Sequence, residues 1–234
     1  MTEAVYLDDS TERTFEATVE RVLDDRVVLN RTLFYPEGGG QPNDEGVLVF
    51  DGETVPVVDV QETDEIYHTL DGPVPDAGAA VKGRIDWNRR FAHMRYHTAQ
   101  HLLSAVLLAS FDARTTGNQL YADRARIDVA YDRFTEEDFA TIEERVQAYV
   151  EEDLSVEGYT MDRERAEAAL DTDRTRLDLL PDGVTEVRIV EIGDVDRTAC
   201  AGTHVPSTGQ IGTFEITGRE TKGSDEERLR FVLH

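Results

Sequence analysis

The stretch WNRRFAHMRYHTAQHLLSAVLL, residues 87–108, marks the point where the predicted structure of the chain changes. Trp87, Phe91 and Met94 recur at the spacing of one helix face, and aliphatic side chains continue that apolar side toward residue 108. The pattern predicts a helix over residues 87–108. It also places a domain boundary near Trp87, with one domain over residues 1–86 and a second over residues 87–234.

Before this helix the sequence has the pattern of β structure. Short alternating or β-rich runs are separated by turn-forming pairs such as Asp24-Asp25 and Asp51-Gly52. Six strands at this spacing predict a small barrel or a sandwich. The predicted strands cover residues 14–22, 27–29, 47–50, 55–60, 66–70 and 79–85.

After the helix the sequence mixes helical and strand patterns. Thr135, followed three residues later by Asp138, resembles a capping box, and the helix predicted after it carries apolar side chains on one face. These elements predict an α+β domain in which helices pack on an antiparallel sheet. Its predicted strands cover residues 121–131, 185–192, 211–217 and 228–233.

Acidic residues dominate the charge of the chain. Its 234 residues include 49 Asp and Glu against 24 Lys and Arg, a net charge of −25, and only Lys82 and Lys222 are lysines. Such a surface favours a halophilic protein, kept soluble in concentrated salt, and the alternative is a partner with a basic surface. The charge also counts against a protein that grips nucleic acid mainly by long-range attraction, although arginines such as Arg89 and Arg95 can still contact phosphates.

The sequence carries no sign of a membrane segment. No apolar run approaches the ~20 residues of a membrane helix, and the acidic start MTEAVYLDD lacks the layout of a signal peptide. These features predict a cytoplasmic protein that contacts no membrane. Cys200 is the single cysteine, so an internal disulfide is excluded.

Two pairs of potential metal ligands stand out. His97 and His101, at positions i and i+4 of the predicted helix, project from the same face and can bind one ion. Cys200 and His204 lie four apart in a segment with Gly202, which suits a loop that wraps a metal. Cysteine and histidine are the ligand types that zinc prefers, so the four residues together predict a zinc site.

The ligand set leaves the role of the metal open. Thr98 follows the first histidine of the helix, where a zinc protease carries its catalytic glutamate, and protease chemistry is therefore disfavoured. Four protein ligands would make a closed structural site, whereas three ligands and a water would make a catalytic one.

A glycine-rich segment, Gly38-Gly39-Gly40-Gln41, is the third feature with chemical potential. One interpretation is a wide loop between strands. The other is a bare backbone that lets a ligand approach closely, with the Gln41 amide offering a donor and an acceptor. The Lys-Ser/Thr ending of a phosphate-binding P-loop is missing.

Three ordered motifs now resemble a known family, the free-standing alanyl-tRNA editing proteins of the AlaX type, which are related to the editing domain of alanyl-tRNA synthetase. The motifs are FYPEGGGQ at residues 34–41, RYHTAQH at 95–101 and CAGTH at 200–204. The resemblance spans nearly the whole chain, and the chain is similar to the medium-length form of the family.

The resemblance implies an N-terminal β-barrel followed by an α+β editing domain of the kind shared by alanyl- and threonyl-tRNA synthetases. It implies one zinc ion per chain, bound by His97, His101, Cys200 and His204. The implied reaction is hydrolysis of the ester bond to the terminal adenosine of alanine tRNA that is mischarged with serine, or also with glycine. We expect the chain to act as a cytoplasmic monomer that uses no ATP. The rival hypothesis is a zinc-stabilised module that binds tRNA or protein without chemistry.

The resemblance also suggests residues for the substrate pocket. Thr116 matches the part of the family that supplies a pocket threonine, and a hydroxyl there could hydrogen-bond the serine side chain. Thr115 and Thr116 could equally be ordinary turn residues. Thr116 and Gln41 are the catalytic candidates, and they bind substrate together with Gly38, Gly39 and Gly40. The zinc would activate a water, polarise the ester carbonyl, anchor the substrate amino group or shape the pocket.

We expect the activity of the chain to persist in concentrated KCl. At ~1 M salt the Debye length is only ~3 Å, so repulsion among the carboxylates is screened. The measurement is enzymatic activity across a KCl series. A sharp loss above moderate salt would contradict the high-salt hypothesis and favour a basic partner.

Overall fold

The computed structural model describes residues 2–170, 175, 177, 183–223 and 225–234. Within these residues fifteen strands and three α-helices form an α+β fold, as the sequence predicted. The chain divides into two compact units, Met1–His93 and Met94–His234. The division falls inside the first helix, whose first residue, Trp87, packs against the barrel core. The predicted boundary at residue 86 stays a prediction.

The N-terminal unit contains eight strands in its described residues, and a short 3-10 turn, Val5–Leu7, follows the first of them. The strands are β1 (Glu3–Ala4), β2 (Thr14–Leu23), β3 (Arg26–Leu29), β4 (Arg31–Thr32), β5 (Gly46–Phe50), β6 (Glu53–Glu62), β7 (Ile66–Leu70) and β8 (Ala80–Ile85).

Six of these strands close into a barrel in the order β2-β3-β7-β6-β5-β8, and every neighbouring pair is antiparallel. Of the two predicted architectures the barrel is therefore confirmed. Phe15, Ala17 and Val19 alternate with exposed residues along β2 and enter the core. Gly83 faces this row from β8, where a Cβ atom would lie 2.1 Å from the Phe15 ring. Only glycine leaves room for that aromatic ring.

A buried ion pair ties the segment after β4 to the first turns of the helix. Arg90 and Asp44 are both fully buried, and the Arg90 Nε atom donates to both Asp44 carboxylate oxygens at 3.1 and 2.9 Å. Arg90 also donates to the backbone oxygens of Ser10 and Leu33, while the Asp44 carboxylate accepts from the Tyr35 amide at 2.8 Å. Removing one partner of such a pair typically costs about 3–5 kcal/mol, because the other charge stays buried.

The rest of the chain forms three helices and two sheets in its described residues. The elements are α1 (Trp87–Phe111), β9 (Arg114–Leu120), β10 (Ala125–Ala130), α2 (Glu136–Glu151), β11 (Val156–Asp162), α3 (Arg163–Ala169), β12 (Glu186–Ile192), β13 (Asp196–Ala199), β14 (Phe214–Thr221) and β15 (Glu227–Leu233), with a 3-10 turn at Thr208–Gln210. One sheet has the order β14-β15-β10-β9, and the other has the order β11-β12-β13.

The start of α2 is fixed by the predicted capping box. The Thr135 hydroxyl accepts from the Asp138 amide at 3.2 Å, and the Asp138 carboxylate accepts from the Thr135 amide at 2.7 Å. The buried face of α2 carries Ile142, Val146 and Val150. Both sheets are wholly antiparallel, so the predicted packing class of this unit is confirmed.

Some predicted elements shift. The strand predicted over residues 121–131 begins only at Ala125, because Tyr121 and Arg124 close a turn through a 2.9 Å backbone hydrogen bond. Strand β9 was missed, since its polar sequence RTTGNQL does not alternate. Helix α3 and the strands β1, β4, β11 and β13 were also missed. None of the helices in the described chain combines the length and apolar character that crossing a membrane requires.

We expect His68 to make barrel stability fall at mildly acidic pH. His68 is fully buried, its Nδ1 atom lies 3.2 Å from the Val27 carbonyl and its Nε2 atom lies 2.8 Å from Thr32 Oγ1. Burial lowers the pKa of His68 from 6.5 to about 4, only partly offset by the bond to Val27. The unfolded chain therefore binds the extra proton first as the pH falls below 6.5, and stability is lost from there toward pH 4.

As the pH falls from about 7.5 to about 5, this pKa difference at His68 should lower the free energy of unfolding by about 2 kcal/mol. Urea unfolding followed by fluorescence of Trp87, the single tryptophan, measures the loss in this unit. The His68→Gln variant should lack that increment, with wild type as the matched reference. Identical pH slopes for the two proteins would contradict the assignment.

Candidate metal centre

Helix α1 and the segment after β13 bring the four predicted ligands together. The ligand atoms of His97, His101, Cys200 and His204 all lie within 4.8 Å of one another. Cys200 Sγ lies 3.6 Å from His97 Nε2 and 3.4 Å from His204 Nε2. The three imidazoles are buried. The cluster can therefore hold a metal ion.

The donor set fits zinc. Bond lengths of about 2.3 Å to sulfur and 2.0–2.1 Å to nitrogen give a tetrahedral S···N edge of about 3.6 Å. The two measured S···N distances, 3.6 and 3.4 Å, match that edge. Thiolate and imidazole are also the ligands that zinc prefers.

Arg188 on β12 shapes the loop that carries the second pair of ligands. Its guanidinium donates to the carbonyl oxygens of Cys200 and Gly202 at 2.8 and 3.0 Å, and its own carbonyl accepts from the Cys200 amide at 3.1 Å. The Gly202 amide in turn donates to Cys200 Sγ at 3.3 Å. Gly158 on β11 leaves space for this arginine, because a Cβ atom there would lie 2.7 Å from the guanidinium.

Two histidines of the cluster are oriented through their outer nitrogens. His101 Nδ1 lies 2.7 Å from Asp196 Oδ2, and His204 Nδ1 lies 3.2 Å from Thr98 Oγ1. With Nδ1–H donated outward, the Nε2 atom of each ring keeps its lone pair for a metal. The Thr98 hydroxyl itself donates to the Met94 carbonyl at 3.0 Å. Sequence reasoning missed Asp196 and Arg188, because no local pattern marks either residue.

The cluster shifts the proton affinities of its members. Burial, with the nearby charge of His97, lowers the pKa of His204. Burial alone would raise the pKa of Cys200, but His97 and His204 outweigh it and hold that pKa well below its usual range. Burial likewise opposes a charged His101, yet the hydrogen bonds to Asp196 and Cys200 raise its pKa. The thiol is thus ready to bind a cation as a thiolate.

Thr116 lies in strand β9 rather than in a turn. It is the extra residue of a β-bulge, since Gly117 pairs with Asp128 while Thr115 pairs with the next residue, Val129. Its side chain is exposed, and Oγ1 donates to Glu226 Oε1 at 2.6 Å. The turn alternative for this residue is therefore wrong.

The glycine-rich segment belongs to the N-terminal unit, where it forms a tight turn. Gly38 and Gln41 exchange two backbone hydrogen bonds of 3.1 and 2.9 Å. Gly39 and Gly40 have φ angles of +58° and +83°, which favour glycine. The Gln41 side chain is fully buried, whereas Gly39 is exposed. The turn geometry by itself accounts for two of the three glycines.

Comparison with known proteins shows that both parts of the chain are similar to domains of tRNA synthetases. Residues 187–230 match the model of the threonyl and alanyl tRNA synthetase second additional domain. Residues 2–89 match the model of class II (A) tRNA synthetases. Residues 187–230 include two of the four predicted ligands, Cys200 and His204.

Relatives along the full chain then define the family. The alanyl-tRNA editing protein AlaX-M of Methanosarcina barkeri is 42% identical over 100% of this chain and 99% of its own length. The AlaX-M protein of Methanosarcina acetivorans is 40% identical over the same shares. The alanine–tRNA ligase of Pyrococcus abyssi is 39% identical over 99% of this chain, but the match covers only 26% of the ligase. The chain belongs to the AlaX-M family of alanyl-tRNA editing proteins.

Family membership confirms two predictions from the sequence. The three ordered motifs identified the correct family, and the chain is an enzyme, a hydrolase of the aminoacyl-tRNA deacylase class.

We expect Thr98→Val to destabilise the second unit. The substitution keeps the side-chain shape but leaves His204 Nδ1 and the Val205 amide without the oxygen that now lies 3.2 and 3.3 Å from them. An unsatisfied buried group costs about 1–3 kcal/mol. Urea unfolding followed by circular dichroism measures the loss.

The matched control is Thr160→Val on β11, where the threonine side chain is exposed. Equal unfolding free energies for the two variants would contradict the role of the Thr98 hydroxyl.

Proposed function

We propose that the chain edits in trans, hydrolysing the ester bond of tRNA(Ala) that has been mischarged with serine, and also with glycine. The observation that carries the proposal is the His₃Cys cluster, formed in a chain that is 42% identical to an alanyl-tRNA editing protein over its whole length. The rival hypothesis, a zinc-stabilised module without chemistry, is not favoured by that relationship.

One zinc ion per chain is part of the proposal, held by His97, His101, Cys200 and His204. Bound zinc would supply a Lewis acid for the ester, an anchor for the substrate amino group or a rigid frame for the pocket. The chain's own residues prepare the site for it: the Gly202 amide hydrogen-bonds the thiolate, and Asp196 and Thr98 hold two imidazoles with Nε2 facing inward.

Thr116 is proposed to recognise the serine side chain. Its Oγ1–H already donates to Glu226, so its oxygen lone pairs are left to accept a hydrogen bond from the serine hydroxyl. The bulge supports the role because such irregularities re-aim a side chain out of the regular ladder.

The turn at Gly38–Gln41 is proposed to meet the substrate through its backbone. The exposed Gly39 offers peptide groups with no side chain over them. Gln41 is proposed to act with this turn, and its fully buried side chain supports a positioning role.

The proposed hydrolysis needs no co-substrate other than water. An aminoacyl ester is already activated, so the site has to orient a water and stabilise the developing oxyanion, and no ATP is required. We propose that the chain does this as a monomer in a salt-rich cytoplasm, where screening weakens the repulsion between its net charge of −25 and tRNA.

The decisive experiment is a deacylation assay in concentrated KCl. Ser-tRNA(Ala) and Gly-tRNA(Ala) should lose their amino acid, whereas Ala-tRNA(Ala), the control, should stay charged. A strong chelator or Cys200→Ala should abolish turnover. Thr116→Val should lower kcat/KM for Ser-tRNA(Ala) by about tenfold, the worth of one hydrogen bond.

Thr115→Val is the matched control for that last variant, because Thr115 is an exposed neighbour whose hydroxyl bonds Ser104 instead. No turnover by folded, zinc-loaded protein would favour the binding module. Equal effects of the two threonine variants would remove Thr116 from the pocket.

A further inference from the structure

We propose that Asp196 is the positioning residue of the metal centre and its buried counter-charge, acting on the zinc through His101. The inference rests on the proposed zinc site and adds a fifth residue that the ligand pattern does not contain. It concerns metal affinity rather than the chemical step.

The geometry puts Asp196 directly behind one ligand. Its side chain is fully buried, and Oδ2 lies 2.7 Å from His101 Nδ1. A carboxylate in that position fixes the ring orientation, keeps the proton on Nδ1 and makes Nε2 more basic toward a metal.

The hairpin between β12 and β13 holds the carboxylate in place. Asp196 pairs with Ile192 in the ladder, and the Val195 amide donates to the Ile192 carbonyl at 3.0 Å across the turn. Gly193, with φ +49°, allows the tight reversal. Cys200 lies one residue beyond the end of β13, and its amide continues the pairing with β12 by donating to the Arg188 carbonyl at 3.1 Å. Strand β13 and the residue that follows it thus supply both the carboxylate behind His101 and the thiol ligand.

Charge balance gives Asp196 its second role. The Cys200 thiolate and the Asp196 carboxylate contribute two negative charges, and a zinc ion with three neutral imidazoles contributes two positive ones. The loaded centre is then neutral. Without the carboxylate a net positive charge would remain buried, which is costly in a medium of low dielectric constant.

His204 provides an internal comparison. Its outer nitrogen meets the Thr98 hydroxyl, a neutral acceptor that can orient a ring but cannot balance charge. Of these two orienting partners, Thr98 is neutral and Asp196 is charged, and only the charged one should alter zinc affinity beyond the effect of orientation.

The test is zinc affinity measured by competition with a chromophoric chelator. Asp196→Asn keeps the shape and one acceptor oxygen while removing the charge, and Asp196→Ala removes both. We expect about tenfold weaker binding for the first and up to about 100-fold weaker binding for the second, as for other orienting partners of metal ligands. Asp194→Asn is the matched control, because Asp194 is exposed and lies two residues away in the hairpin turn.

Thermal unfolding of the metal-free proteins is the second readout. If Asp196 served only the fold, the two variants would lower the metal-free Tm and leave zinc affinity at the wild-type value, and that result would overturn the inference. If Asp196→Ala fails to fold, Asp196→Asn still decides. Wild-type protein that binds no zinc would overturn both the proposed metal site and this inference, whereas wild-type affinity in a folded Asp196→Asn variant would overturn the inference alone.

Discussion

The crowding of three imidazoles and one thiol within 4.8 Å is the constraint that organises the second unit. Polar groups that are withdrawn from water need partners, because each unsatisfied one destabilises the fold. A second layer of residues supplies these partners. Thr98 contacts His204, Asp196 contacts His101, and Arg188 donates to the backbone of the loop that carries Cys200. Strands β12 and β13 supply Arg188 and Asp196 to this layer, and helix α1 supplies Thr98.

Arginine supplies nearly all of the positively charged side chains in this protein. Only two of the 24 basic residues are lysines. Arg90 contacts both oxygens of Asp44 and two backbone carbonyls, and Arg228 reaches both oxygens of Asp128 at 2.6 and 2.7 Å. A planar guanidinium presents several donors at once, which a lysine ammonium cannot do. The protein thus combines a large excess of acidic residues with arginine–carboxylate pairs of defined geometry.

Local patterns in the sequence predicted what local physics controls. The strand pattern predicted a barrel or a sandwich, and the i, i+4 spacing identified His97 and His101. The polar run of β9 could not be recognised, because its strand character comes from pairing with β10 rather than from its own residues. Asp196 and Arg188 lie 95 and 12 residues from the groups they serve, so their roles depend on tertiary structure.

Cys200 follows His97 by 103 residues, and that separation has a consequence for how the protein matures. A nascent chain exposes the helical histidine pair before the thiol is synthesised, so the four-residue cluster cannot close until both segments are present. Closing so long a loop is entropically slow unless the β11-β12-β13 sheet, which lies between the two segments in the chain, forms first. The cluster is therefore a late feature of folding, because no single local segment of the chain contains all four side chains.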